Sequence, residues 1–76
     1  MENNAIINIR LVDLLNILDA RTTVSIFTEI GKEPVKNQFK VYELLADSDF
    51  MRANKNTEVN GIVNFIHITN ILIKEG

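Results

Sequence analysis

Leu11, Leu14, Leu15 and Leu18 recur at the i, i+3, i+4, i+7 spacing that lines one face of an amphipathic helix. Asp13, Asn16 and Asp19 take the remaining surface, and the spacing predicts a helix from about Val12 to Ala20. Asp13 near its start and Arg21 just past its end suit the helix dipole. The period then changes to two. Val24, Ile26, Thr28 and Ile30 share one side of the stretch Thr22 to Ile30, and Ser25, Phe27 and Glu29 share the other, which predicts a strand. Gly31-Lys32-Glu33-Pro34 has turn chemistry, and a second strand is expected from about Asn37 to Val41, making a hairpin. Tyr42 to Ala46 reads either as more of that strand or as the start of a helix. Asp47 to Asn54 reads as a short helix, capped by Asp47 or Ser48 and ended by Asn54 in a left-handed turn.

Ala5-Ile6-Ile7-Asn8-Ile9 favours an extended form, as an edge strand or as an arm that reaches a neighbouring subunit. At the other end, Val63, Phe65, His67, Thr69, Ile71 and Ile73 share one parity, and Ile62, Asn64, Ile66, Ile68, Asn70 and Leu72 the other. Both sets are largely apolar, so burial on both sides is expected. A single strand from Glu58 to Glu75 would span about 50–60 Å at ~3.3 Å per residue, too long for so short a chain. A hairpin with its turn within His67 to Asn70 is therefore expected. Asn60-Gly61 is itself a hairpin dipeptide. A turn there would leave only Thr57 to Val59 as its first arm, so Gly61 is read as a bulge or a strand start. The whole reading is one α+β domain over residues 1–76: an N-terminal amphipathic helix packed on a small, mainly antiparallel sheet of three to five strands, with a short second helix.

Length sharpens this picture. A chain of 76 residues buries only about 60% of the surface its unfolded form exposes, and such small cores usually need a staple. The chain has no cysteine and one histidine, His67, which removes disulfides and thiolate metal sites. Oligomerisation is then the expected staple. Charge narrows the partners. The net charge is −2, with both signs scattered, which argues against non-specific binding of nucleic acid or anionic membrane. Met1-Glu2-Asn3-Asn4 lacks the basic start of a signal peptide, and no apolar run reaches the ~20 residues of a membrane span. The cytoplasm is the expected compartment.

Catalytic chemistry finds little to work with. His67 has only Ser25 and Ser48 as serine partners, and neither sits in a nucleophile-elbow pattern. The carboxylate pairs Asp47 with Asp49 and Asp13 with Asp19 are explained by helix capping and by solvation. Gly31, Gly61 and Gly76 are isolated, so no phosphate loop forms, and no zinc spacing exists. No enzyme activity, metal or cofactor is expected. Binding chemistry is better represented. Arg10, Arg21 and Arg52 can grip phosphate or carboxylate, Tyr42, Phe27, Phe50 and Phe65 can stack on a base, and His67 can stack or donate to phosphate. The alternative is that the arginines pair with helix ends and acidic neighbours while the aromatics fill the core. In an oligomer, three arginines per chain can also converge at an interface and form a small anion pocket. The candidate ligand-binding residues are Arg10, Arg21, Tyr42, Arg52, Phe65 and His67.

The run from Ile9 to Asp19 (IRLVDLLNILD), followed by Thr22-Thr23-Val24-Ser25-Ile26-Phe27, resembles a group of very short phage and mobile-element proteins of low-GC Gram-positive bacteria. Glu58-Val59 and Ile71-Leu72-Ile73 would supply the ending typical of that group. The likeness covers most of the chain, lies in core positions, and carries over no binding residue. It implies a counter-defence context: either an anti-CRISPR-like block of a host immune protein, or an oligomeric sponge for a nucleotide immune signal. The expected function is therefore a non-catalytic binding protein that sequesters a small nucleotide-like signal in an oligomeric assembly. Direct inhibition of a host defence protein is one alternative, and a small structural or assembly role is another.

Overall fold

Residues 9–29 and 31–74 are described by the computed structural model. The expected extended piece at Ala5–Ile9 lies, apart from Ile9, outside the described residues, as does Ile30. Seven elements follow in order: α1 (Leu11–Ile17), β1 (Thr23–Phe27), β2 (Lys36–Lys40), α2 (Val41–Leu45), α3 (Ser48–Asn54), β3 (Val59–Phe65) and β4 (Ile68–Ile73). The class is α+β, with a four-stranded sheet in the order β2-β1-β4-β3.

The leucine stripe does what its spacing predicts. Leu11, Leu14 and Leu15 are buried, and Leu18 packs against the same core. The helix stops at Ile17, short of the expected Ala20, because Leu18 turns to an extended conformation (ψ 151°). The Asp19 carboxylate then accepts from the Arg21 backbone N–H at 2.8 Å and fixes the bend into β1. At the other end, the Leu11 and Val12 amides, which no helical carbonyl can satisfy, donate to Thr57 and Lys55 carbonyls at 2.8 and 3.1 Å. The connection from α3 to β3 thus caps α1.

The first hairpin forms as read, with β1 and β2 antiparallel, but β1 ends at Phe27. A register shift between Val24 and Ile26 places an irregularity in β2 opposite, where Gln38 takes a left-handed φ of 60°. Its backbone N–H is satisfied by the Ser25 hydroxyl at 2.9 Å. The ambiguous run Tyr42–Ala46 resolves as helix, since Val41 and Leu44 both reach the core. Two short helices therefore follow the sheet's first hairpin, where one was expected. Asp47 caps α3 by accepting from the Phe50 N–H at 3.1 Å. Asn54 is a correction: it lies within α3 and has no left-handed φ, and its side-chain amide donates back to the Phe50 carbonyl at 3.0 Å.

The C-terminal hairpin also forms, with the bulge at Gly61 that the sequence favoured. Its turn is Ile66-His67, slightly earlier than expected. Antiparallel pairing dominates, as predicted, with one parallel contact at the centre of the sheet, β1 against β4. Val24 and Ile26 from β1, and Ile71 and Ile73 from β4, point to the helical side and complete a core with Val41, Leu44 and Phe50.

Lys36 ties β2 to α3. Its ammonium donates to Asp47 Oδ2 at 2.9 Å and stands over the rings of Phe39 and Phe50, at 5.1 and 5.5 Å from their centroids. The Lys36 hydrogen bond, with that of the Phe50 amide, holds the Asp47 carboxyl below its ordinary value. A depressed carboxyl pKa stabilises the folded state above the ordinary carboxylate range, and that contribution is lost as pH falls through it. Asp47→Ala is expected to lower Tm at pH 7, and the gap to the wild type should narrow as pH falls below about 4. Thermal melts across that range check this; a gap independent of pH would assign the effect to something other than the ionised carboxylate.

Candidate functional site

All three helices contribute to a core on one face of the sheet, and the strand registers show what the opposite face carries. Ser25 and Phe27 of β1 stand beside Asn70 and Leu72 of β4. Gly61, Val63 and Phe65 of β3 pair with Leu72, Asn70 and Ile68. These residues share the face away from the helices, because successive side chains on a strand alternate. Toward β2 the face is polar and internally satisfied: Ser25 Oγ donates to Asn37 Oδ1 at 3.3 Å, and the Lys40 ammonium donates to Thr23 Oγ1 at 2.9 Å. Toward β3 it is apolar and open.

That open half forms a groove of about 470 Å³. Phe27 and Leu72 make its floor, Val63 and Phe65 rise along β3, and Gly31 marks the loop side. Val63 and Phe65 are 63% and 65% exposed, a large fraction for side chains that a monomer gains by burying. Two glycines deepen the groove. A Cβ on Gly61 would meet only the Leu72 Cβ, at 3.9 Å, and one on Gly31 would meet nothing within 4 Å. Gly31 also needs its lack of side chain to hold a φ of 89°. Among the described residues, Asn70 supplies the groove's one polar side chain. Its amide donates to the Val63 carbonyl at 3.2 Å, so it braces β3 against β4.

At the end of this face the chain turns through Ile66 and His67, with φ of 48° and 63°. Positive φ at both central residues matches the tight hairpin turn that normally selects Asn-Gly. Isoleucine is a poor occupant, since its branched Cβ crowds the backbone there. Ile66 is nevertheless 70% exposed, so an apolar side chain is held out at the tip. Burial of both apolar parities in the C-terminal segment was expected; β3 corrects this, because it is an edge strand exposed along most of its length.

The six residues singled out from sequence are spread over different elements. Arg10, at the start of α1, makes a two-point pair with Asp13 at 2.9 and 3.2 Å and also donates to Asn56 at 3.1 Å. Arg52, in α3, pairs with Asp49 at 3.3 Å. Arg21 sits exposed in the turn between α1 and β1. Tyr42 is exposed on α2. Only Phe65 and His67 lie together, at the β3–β4 tip, and of the six only Phe65 lines the groove. Of the other aromatics, Phe50 is buried in the core and Phe27 lines the groove. Among the described residues, no group of three or more His, Asp or Glu is placed to hold a metal ion, and no helix is long and apolar enough to cross a membrane.

Sequence reasoning missed Gly61, Val63, Asn70 and Leu72 as a surface. The signal was present: two apolar parities in one hairpin, and helical segments too short and few to cover more than one of them. The chain matches no protein-family model, and no curated protein or solved structure is significantly similar to it.

Proposed function

We propose that this chain works as a non-catalytic binding protein, burying the open face of its sheet against another protein surface. The observation that supports this is the groove itself: apolar, with no charged side chain among the described residues that line it, and flanked by exposed Val63 and Phe65 on an edge strand. Surfaces of this kind, with aromatic side chains and no charge at their centre, suit the desolvated middle of a protein interface. The resemblance to short phage and mobile-element proteins gives the biological setting, in which a small protein blocks a host defence protein by occupying one of its surfaces.

Sequestration of a nucleotide-like signal is the second reading. It draws on exposed Arg21, Tyr42 and His67, which suit an anion and a base. Arg10 and Arg52 are already engaged by Asp13 and Asp49, so a phosphate site would need to exchange those partners or gather arginines from several copies.

The two readings separate on single substitutions. Val63→Lys puts a charge in the middle of the groove, at an exposed position that the fold tolerates. If the face is the working surface, expression of the wild-type chain in a defended bacterial host should raise phage plating, and Val63→Lys should abolish the gain. Arg21→Glu should leave it intact. The reverse pattern would transfer the function to the arginine.

A further inference from the structure

We infer that the partner first met by the open sheet face is a second copy of this chain, packed face to face about a two-fold axis. The inference rests on the reading of that face as a docking surface; two observations point to self-association, and a third sets its strength.

The first is charge. Among the described residues the groove is lined by no ionisable side chain, and the polar one, Asn70, already donates to Val63 within the sheet. Two copies of the same patch can therefore close on each other without leaving a charge unpaired, which a two-fold interface demands because like meets like.

The second is shape. Phe65 stands out from the face, and the site over Gly61 is hollow. Both lie on β3 with their positions on the same side of the sheet, and Val63 lies midway between them. They are about 13 Å apart at ~3.3 Å per residue. A two-fold axis lying between the sheets and passing over Val63, across the strand direction, reverses the strand and inverts the face. It brings each Phe65 over the other copy's Gly61 hollow and sets the two Val63 side chains against each other. The arrangement is a β-sandwich, for which face-to-face packing at about 10 Å is ordinary.

The third is size. Four strands at ~4.8 Å spacing and about six residues at ~3.3 Å give a face of about 19 by 20 Å. That is about 400 Å² in projection on each copy, or roughly 800 Å² in total, below the ~1,200 Å² at which stable interfaces begin. The dimer is therefore expected to be weak and reversible, forming only toward the upper end of the micromolar range.

Sedimentation or light scattering from low micromolar to near-millimolar concentration tests this, with circular dichroism to show that each variant is folded. The wild type should shift from monomer to dimer. Val63→Lys, which would place two like charges at the axis, should weaken association by about a hundredfold or more. Gly61→Val is the more telling variant. It favours the strand and should not unfold the monomer, yet it fills the hollow and should also drive the protein to monomer. A dimer indifferent to both substitutions overturns the proposal, since association would then use another surface. A wild type that stays monomeric throughout also overturns it. In that case binding of a hydrophobic dye decides the parent reading: dye bound by the wild type and lost in Val63→Lys leaves the face as a docking surface for a different protein, whereas no binding by the wild type removes both.

Discussion

Ile71→Ala is expected to cost about 2–5 kcal/mol, the ordinary range for truncating a large aliphatic side chain in a packed core. Ile71 has no exposed surface and occupies the second position from the sheet's β3 edge, with Ile26 beside it on β1 and Ile62 on β3. Removing its side chain opens a hole where the helices meet the parallel pair, and the strands cannot close it without breaking register. The total stability of a 76-residue domain is roughly 4–11 kcal/mol at ~0.05–0.15 kcal/mol per residue. One truncation therefore removes about a fifth of it at the least and should lower Tm by about 10 °C or more. Chemical denaturation of the wild type and Ile71→Ala gives the difference directly. A cost under about 1 kcal/mol would mean the site collapses freely, which a close-packed interior does not allow.

The second large effect has the opposite sign. Replacing Ile66-His67 with Asn-Gly should stabilise the fold by about 1–3 kcal/mol. Both residues hold left-handed φ values that cost an ordinary side chain roughly 1–2 kcal/mol, while Asn and Gly accept them readily. The side chains removed are exposed at the tip, so little packing is given up. Denaturation midpoints for the double variant measure the gain. No gain, or a loss, would show that contacts of Ile66 or His67 already compensate the backbone. Strain retained at an exposed apolar tip beside Phe65 is the kind of local conflict that functional surfaces keep. The stabilised variant is therefore the natural protein in which to ask whether the tip contributes to binding.

The elements were legible where one pattern dominated. Four leucines at helical spacing gave α1, and the alternation around Val24 and Ile26 gave β1 with the correct inward set. Boundaries were less so, because Leu18 continues the helical pattern but is turned into an extended cap by the bend that Asp19 holds. Gly61 was readable as a bulge, since a turn there would have left too short an arm. The parallel pairing of β1 with β4 was not readable, because no local pattern records which distant strand a strand will join. The site suffered from the same lack. Six residues were chosen for what their side chains can do, and only Phe65 came to the groove. The others that build it, such as Gly61 and Leu72, carry no chemistry that marks them in a sequence. They become a surface only when the sheet sets them side by side.

The central parallel pair also governs when the protein can fold. Val24 meets Thr69 and Phe27 meets Leu72, so the first strand completes its ladder only when nearly the last described residues arrive. Loop closure over such a separation must precede any reward from the contact, which slows folding relative to a chain of local hairpins. During synthesis, α1 and the β1–β2 hairpin emerge with their apolar faces uncovered, and they stay so until β4 has left the ribosome. A nascent chain stalled before Ile68 would therefore expose Leu15, Val24 and Ile26 together, as a target for chaperones and proteases.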